Sequence, residues 1–467
     1  MTVLFVIPDC LGIRNFLHSR VLEILIQKGN QVAVWHTFDE QVLAQMQLHP
    51  SVRFHRLPAW REGVIERLLR EAKVYAQLVR FCQRDNNILA LRQRFRAAGG
   101  TQKKIIALAA FLLGCLFSGR HGSGRLARWH SRAARANNLV AFRQTLMDVN
   151  PNLVFCTHQR AAYAVPCLEV ARELKIPTAT FVYSWDNPPK GRMAVSADFY
   201  FAWSKHMAAE LMTYCPDITE RQIKITGTPQ FEPYFNPDLT ISREEFCRNN
   251  GLDAARPIVC FSGGDSITSP YDHHYLADVA NELTHWPQAT APQLIFRPIP
   301  ADLSTRYDSV VASNPAIAVS KPRWRMPEGE ASWEGVIPLR EDSALLANLV
   351  TYCDAVINLG STMGLDFAMK GKPAININYN TQGVDEARWT IRDYYRVPHF
   401  KTVHQLNPVF WINSRAEIRQ VLAQALGGVE EKKLAREKWK ETLVQHPPEL
   451  ASERIVRAME DIILLPR

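Results

Sequence analysis

The chain has 467 residues, 47% hydrophobic and 22% charged, which excludes a disordered chain and a protein made mainly of membrane spans. That length exceeds one ordinary hydrophobic core, so two or three domains are expected. The formal net charge of +9 is concentrated: Arg61 to Arg135 hold 16 Lys or Arg against 4 acids (Glu62, Glu66, Glu71 and Asp85), leaving the remainder slightly acidic.

The first apolar run, Val3 to Ile7, reads as a strand and not as a secretion signal, since it has no basic leader and ends at Pro8-Asp9. A loop containing Gly12 follows, then an amphipathic helix over Phe16 to Lys28 closed by Gly29-Asn30, and strands at Gln31 to His36 and Val52 to Leu57. The single glycine of that loop is not the G-x-G-x-x-G of a dinucleotide site, so a nicotinamide or flavin assignment has no motif support.

Residues 61 to 147 read as a helical, basic insertion, broken at Gly99-Gly100 and around Gly119 to Gly124. Within it Ile105 to Phe117 is apolar and flanked by Lys103, Lys104 and Arg120. It is too short to span a bilayer as a straight helix. Two readings stay open: a core helix, or a helix that dips into a membrane surface while arginines meet anionic head groups. Nucleic acid binding has no accompanying recognition motif.

Strand and helix alternate again over Asn152 to Thr157, Ala161 to Leu174, Thr178 to Tyr183, Asp198 to Trp203, Lys205 to Tyr214 and Gln222 to Thr226. Phe231 to Pro237, rich in proline and aromatic residues, is the linker candidate. A second series has strands at Ile258 to Ser262, Gln293 to Pro298 and Ile317 to Ser320, with helices over Tyr271 to Trp286 and Asp342 to Tyr352. It continues into Ala355 to Asn380, where an apolar run, a Gly360-Ser361-Thr362 turn opening a helix, and a second run after Gly371-Lys372-Pro373 form a strand-helix-strand unit. The pattern loosens over Trp389 to Trp411, and helices follow at Arg415 to Leu426, Glu430 to Val444 and Ser452 to Leu464.

The expected domains are residues 1–235, 240–425 and a C-terminal helical segment 426–467. The expected fold class is α/β, with two Rossmann-like domains facing a cleft, a helical insertion in the first and C-terminal helices packing back. Nine scattered cysteines, from Cys10 to Cys353, show no Cys-x-x-Cys or zinc spacing and read as reduced thiols.

Three loops and one helix end carry candidate chemistry. The segment Tyr183-Ser184-Trp185-Asp186-Asn187, with Lys190, could seat a general base, Asp186, between Trp185 and a cation; a plain Asn-Pro-Pro surface turn is the alternative. Gly263, Gly264 and Ser266 let backbone N–H groups approach an anion, although a tight turn reads nearly the same. Arg297 ends a strand and is suited to a diphosphate. Gly360, Ser361 and Thr362 present a helix N-terminus to a phosphate, with Asp366 about one turn on for a ribose diol; an ordinary capped helix is the alternative.

Taken in order, Ser184-Trp-Asp-Asn187 with Lys190-Gly191, Ile225 to Phe231, Leu294 to Pro298, and Gly360 to Ala368 with Gly371-Lys-Pro373 resemble the bacterial surface-polysaccharide glycosyltransferases of the GT-B type. The wider group includes the CDP-glycerol glycerophosphotransferases and the non-hydrolysing UDP-GlcNAc 2-epimerases. The resemblance covers about half the chain. It implies a nucleotide-sugar donor on the second domain, with Ser361 and Thr362 on its diphosphate, Asp366 on its ribose, and Gly263, Gly264, Ser266, Arg297 and Gly360 assisting. Asp186 becomes the catalytic base on the acceptor side, beside Gly12, Ser184, Trp185, Asn187 and Lys190. No cofactor and no metal is implied, and no Asp-x-Asp pair is present. Two positions depart from the pattern: Arg297-Pro298-Ile299-Pro300 lacks the histidine of Arg-x-His-Pro, and Asp366 replaces a glutamate.

The implied activity is transfer of a sugar to a surface polysaccharide or lipid-linked glycan, by a cytoplasmic protein held peripherally on the inner face of the membrane, with no nucleic acid partner. Alternatives are a CDP-activated polyol-phosphate transferase, a nucleotide-sugar 2-epimerase and a non-catalytic assembly subunit.

Overall fold

The computed structural model describes residues 1–467 apart from 10–11, 39–42, 44–45, 47–48, 98–99, 192, 267, 289, 301, 326–335 and 466–467, so Cys10 lies outside the described residues. The chain divides into two compact units, one of Met1–Gln230 with Val397–His399 and Thr442–Arg467, the other of Phe231–Arg396 with Phe400–Glu441.

The first unit is built on a seven-stranded parallel sheet. Its strands are β1 (Thr2–Ile7), β2 (Gln31–His36), β3 (Arg53–Arg56), β4 (Leu153–Cys156), β5 (Thr178–Phe181), β6 (Phe199–Ala202) and β7 (Ile223–Ile225), in the order β3-β2-β1-β4-β5-β6-β7. The central strands read as unbroken apolar runs because helices cover both faces of a parallel sheet. Helix α1 (Arg20–Gln27) starts later than its apolar pattern suggests: a π turn occupies Ile13–Leu17, and Ser19 caps the helix by accepting from the Val21 N–H at 3.3 Å.

The insertion folds as α2 (Val64–Arg80), α3 (Ile88–Ala97), α4 (Thr101–Leu116), α5 (Gly122–Arg135) and α6 (Val140–Val149). Its small core of Leu69, Ala72, Tyr75, Ala76, Ala110 and Leu126 lies where α2, α4 and α5 meet. The sides of helix α4, which carries most of the Ile105 to Phe117 run, differ in exposure. Ala107, Ala110 and Gly114 point inward, and a Cβ on Gly114 would stand 2.6 Å from Tyr75 Cβ and 2.9 Å from the Ala76 nitrogen. Phe111, Leu113 and Phe117 pack against the insertion's core, whereas Ile105, Leu108, Leu112 and Leu116 lie along one face and are between 53% and 77% exposed.

Helix α7 (Val165–Glu173) follows β4 and packs against α5 and α6. The second unit carries a six-stranded parallel sheet of β8 (Ile258–Ser262), β9 (Gln293–Arg297), β10 (Ile317–Val319), β13 (Ala355–Asn358), β14 (Ala374–Ile377) and β15 (Phe410–Ile412), in the order β10-β9-β8-β13-β14-β15. A separate antiparallel pair joins β11 (Trp324–Arg325) to β12 (Ile337–Pro338). Strand β15 falls in the stretch whose pattern loosens, since three residues are too few to display a period. The linker candidate forms a 3-10 turn over Pro229–Phe235 that buries Phe231 and Tyr234. Helix α8 (Met363–Met369) follows β13.

The C-terminal helix α9 (Ala451–Leu464) returns to the first unit. It lies along α1, where Arg20 pairs with Glu453 at 2.5 Å and Lys28 with Glu460 at 2.8 Å. Arg454 Nε donates to the Thr226 carbonyl at 2.7 Å, fixing the end of β7. Among the described residues no helix is long and apolar enough to cross a membrane.

Replacing Gly114 by leucine inserts a side chain where α4 already touches α2, and is expected to cost about 1–3 kcal/mol, the usual range for overpacking. Leu112→Ser on the exposed face should leave the urea midpoint almost unchanged, and equal losses for the two variants would refute this assignment of faces.

Candidate functional site

In an open parallel sheet, ligands collect beyond the carboxyl ends of the strands where the strand order reverses. In the first sheet that point lies between β1 and β4, paired in register from Val3 with Leu153 to Val6 with Cys156. Asp9 follows β1 and His158 follows β4. Both are buried, and the Asp9 carboxylate holds the imidazole through Nδ1. Asp9 Oδ1 also accepts the Gly12 N–H at 3.3 Å. The other imidazole nitrogen, His158 Nε2, is buried with no hydrogen-bond partner among the described residues. A carboxylate on Nδ1 fixes the tautomer and the orientation of the ring.

Gly12 is needed for this approach. A Cβ there would lie 2.5 Å from Thr157 Oγ1 and 2.8 Å from Ile7 Cγ2, so only glycine lets the turn after β1 pass across the end of β4.

The loop after β5 sits beside this pair. The Tyr183 and His158 rings are 4.8 Å apart, and Gln159, wholly buried, accepts the Tyr183 N–H on Oε1 at 2.8 Å. The Gln159 carbonyl receives the N–H groups of Ala194 and Val195, at 2.9 and 3.2 Å, which closes the far end of the loop. The insertion holds the loop from behind: Gln77 Nε2 donates to the Pro188 carbonyl at 2.6 Å and Lys73 Nζ to the Ala194 carbonyl at 3.0 Å. Gly12 is thus tied to the Asp9–His158 pair through Asp9, and the loop that carries Ser184, Trp185, Asp186, Asn187 and Lys190 through its first residue, Tyr183, with Gln159 beside it.

Within the loop Asp186 is spoken for. Its Oδ1 accepts from Asn187 Nδ2 at 3.1 Å and its Oδ2 is paired with Lys190. Burial pushes its carboxyl up, but the Lys190 ammonium and then His399 outweigh that and hold it well below the usual carboxylate range. A carboxylate so firmly ionised is a weak proton acceptor. Trp185 is buried edge-on against His399, ring centroids 5.2 Å apart.

In the second sheet the order reverses between β8 and β13. Gly263, Gly264 and Ser266 follow β8, and Gly360, Ser361 and Thr362 follow β13. Gly360 adopts φ +70°, and a Cβ there would stand 2.5 Å from Phe400 Cζ, so both conformation and contact require glycine. Ser361 and Thr362 are half-buried, and the Ser361 N–H donates to Asn358 Oδ1 at 3.0 Å.

Three expectations need correction. The N–H groups of Gly263 and Gly264 are engaged by the Arg297 carbonyl at 2.9 Å and by Asp272 Oδ2 at 2.7 Å, so in this conformation neither is presented to an anion. Arg297 is no free cation at a strand edge: it is buried, and its Nη2 meets both Asp342 carboxylate oxygens at 2.8 and 3.0 Å. The Asp366 carboxylate is buried and accepts the Tyr234 hydroxyl at 2.6 Å instead of facing open space. In each case the partner comes from a distant part of the chain that local pattern cannot supply. Asp9 and His158 were missed for a related reason. A local signal exists, a polar residue two positions beyond each of two apolar runs, but it gains meaning only once β1 and β4 are known to be neighbours.

No family model matches the sequence, and no curated protein matches it. Solved structures do. A UDP-GlcNAc 2-epimerase from Methanocaldococcus jannaschii aligns over 99% of this chain and 100% of its own, with 10% identity and a TM-score of 0.53. The UDP-GlcNAc 2-epimerase from Neisseria meningitidis bound to UDP-GlcNAc aligns over 99% and 100%, with 10% identity and a TM-score of 0.50. A glycosyltransferase from Rickettsia africae aligns over 100% and 99%, with 12% identity and a TM-score of 0.52. At such identities the likeness is one of fold: the chain has a GT-B-like α/β fold with two parallel sheets, shared with epimerases and glycosyltransferases.

Lys190→Met removes the counter-charge of Asp186 and should destabilise the protein by about 1–3 kcal/mol at neutral pH. Because the folded pKa of Asp186 is depressed, its stabilising contribution is complete above the unfolded carboxylate pKa of about 3.8 and is lost as pH falls below it. The variant should lose that acid-dependent part, which urea midpoints measured across acidic pH will register as a flatter profile than wild type.

Proposed function

We propose that this protein is a glycosyltransferase that moves a sugar from a nucleotide-activated donor to a polysaccharide or lipid-linked glycan at a membrane surface. The observation that carries the reading is the buried Asp9–His158 pair with its unpartnered Nε2 at the crossover of the first sheet. In this reading His158 Nε2 takes the proton of the acceptor hydroxyl as that oxygen bonds to the anomeric carbon. Asp9 stabilises the imidazolium that forms, and the bond to the nucleoside diphosphate breaks with both electrons passing to the leaving phosphate. The first unit supplies the base and acceptor contacts. The second supplies donor contacts from the Gly360-Ser361-Thr362 turn. Asp186, ionised and paired with Lys190, orients the acceptor loop instead of accepting the proton.

Helix α4 supports a membrane-borne acceptor. Four bulky apolar side chains lie exposed along one face, α4 has no acidic residue, and Lys103, Lys104 and Arg120 flank the stripe, all of them exposed. Docking such a face into an anionic bilayer removes apolar surface worth on the order of 1.5–3 kcal/mol per fully buried Leu or Ile side chain, and pairs the cations with lipid phosphates.

A second reading, nucleotide-sugar 2-epimerisation, is favoured by the fold likeness to the two epimerases. It needs neither an acceptor nor a membrane-facing helix. A CDP-activated polyol-phosphate transferase differs from the first reading in its donor alone.

Incubating the protein with radiolabelled UDP-, GDP- and CDP-linked donors and membrane extract should yield label in the glycan or lipid fraction. Release of an epimerised free nucleotide sugar without acceptor would replace this reading with the second. His158→Gln is expected to lower kcat by about 10²–10⁴, the contribution typical of a general base, with the circular dichroism spectrum unchanged. Asp186→Asn should retain far more activity, and the reverse ranking would return the base to Asp186. Leu108→Glu with Leu112→Glu should abolish co-sedimentation with phosphatidylglycerol vesicles while turnover of a water-soluble acceptor persists.

A further inference from the structure

Between the insertion and the first sheet lies a cavity of about 530 Å³ that the mechanism above does not use. Its cations are Lys73 from α2, Arg128, Arg132 and Arg135 from one face of α5, and Arg172 from α7; among the described lining residues Asp217 is the one carboxylate. Val74, Met193, Val195 and Tyr200 supply an apolar wall. A smaller cavity of about 260 Å³ shares Val74, Gly191 and Met193 with it and adds Arg70, Arg94 and Arg160, the last two positions beyond His158.

The cations differ in how far the protein neutralises them. Glu169, buried behind the wall, accepts from Arg135 Nε at 2.8 Å and Arg172 Nη1 at 3.1 Å, which leaves further N–H donors on each guanidinium. Arg128 and Arg132 form no ion pair among the described residues. Lys73 is only 8% exposed, yet among the described residues its ammonium donates to one carbonyl, that of Ala194, and forms no ion pair. Burying a charge without a counter-ion is costly. The cost is visible: burial and then Arg70 lower Lys73 to about 8, and burial, Lys73 and Arg70 push the buried His130 beside it down to about 2. A role as a strut for the Ala194 carbonyl accounts for one hydrogen bond of Lys73 and for none of the arginines.

We infer that this cavity is a binding site for a phosphate or diphosphate group. The anion sits between Lys73 and the α5 arginines, supplying the missing counter-charge, and the apolar wall accepts the body of the molecule that carries it. Arginine forks and a lysine point charge are the donors such a group takes. Because Lys73 and Gln77 also hold the Pro188 to Ala194 segment, an anion here bears directly on the loop that carries Asp186.

The test is calorimetric titration of the full chain with inorganic pyrophosphate and with octyl phosphate. Saturable binding of at least one probe is expected. Arg128→Ala with Arg132→Ala should weaken it about 10–100-fold, since both residues are exposed and their loss leaves the core intact. The control pair Arg125→Ala with Arg457→Ala, equal in charge, exposed and outside the lining, should leave binding unchanged. Affinity should fall as pH rises through about 8, as Lys73 loses its proton. The other groups around Lys73 are Arg70, Glu62, His130, Glu169 and Cys215, and Lys73→Arg should remove that fall. Tighter binding of octyl phosphate than of pyrophosphate identifies a lipid-borne phosphate, and the opposite order a free one. Absence of saturable binding by wild type, or equal weakening by the control pair, overturns the inference. Sugar turnover is not a readout, so failure of the proposed glycosyl transfer leaves this result standing.

Discussion

The first unit depends on one strand pairing. Strands β1 and β4 lie side by side although the whole helical insertion separates them in the chain. That neighbourhood creates the reversal of strand order, and with it the crevice at the carboxyl edge of the sheet. It sets Asp9 against His158, and it forces the turn at Gly12 against Thr157 so closely that no side chain fits. Closing so long a loop is entropically unfavourable. What offsets it is the buried apolar contact of the central strands, where Phe5, Phe16, Phe155, Phe181 and Phe201 form an edge-to-face cluster with centroids 5.0 to 6.2 Å apart.

The insertion is tied to that arrangement through α2. The helix that buries Tyr75 against α4 presents Lys73 and Gln77 to the loop after β5, so the same element contacts both α4 and that loop. Where α2 and α4 touch at Gly114 only a small residue fits, while Phe111 and Leu113 pack into the insertion's core and Ile105, Leu108, Leu112 and Leu116 stay exposed.

The second unit spends its buried charges on its own architecture. Asp342 accepts from Arg297, from the Arg323 N–H at 2.7 Å and from Trp324 Nε1 at 2.8 Å, a fully satisfied carboxylate that ties the end of β9 to β11. Tyr234 and Asp366 likewise join the turn at the start of the unit to helix α8. Such networks fix a unique geometry when every member has a partner. They leave the glycine turn after β13 as the element of that sheet edge whose form, the φ of Gly360 and its contact with Phe400, has no explanation in helix propensity.

Sequence by itself determined the strands of the first sheet and, apart from β15, those of the second nearly to their ends, the helical and basic character of residues 61 to 147, and the α/β class, because hydrophobic periodicity and turn residues act over a few positions. It also located the Ser184 to Lys190 loop and the Gly360 turn, whose residue types are locally unusual. Tertiary structure alone decided which polar groups meet. That Asp9 faces His158, that Asp342 neutralises Arg297, that Tyr234 takes Asp366, and that Ile105, Leu108, Leu112 and Leu116 are the exposed side of α4 all follow from contacts between residues far apart in the chain. Charge and hydrogen-bonding groups act through distance in space, and apolar periodicity cannot report that distance until the strands have been paired.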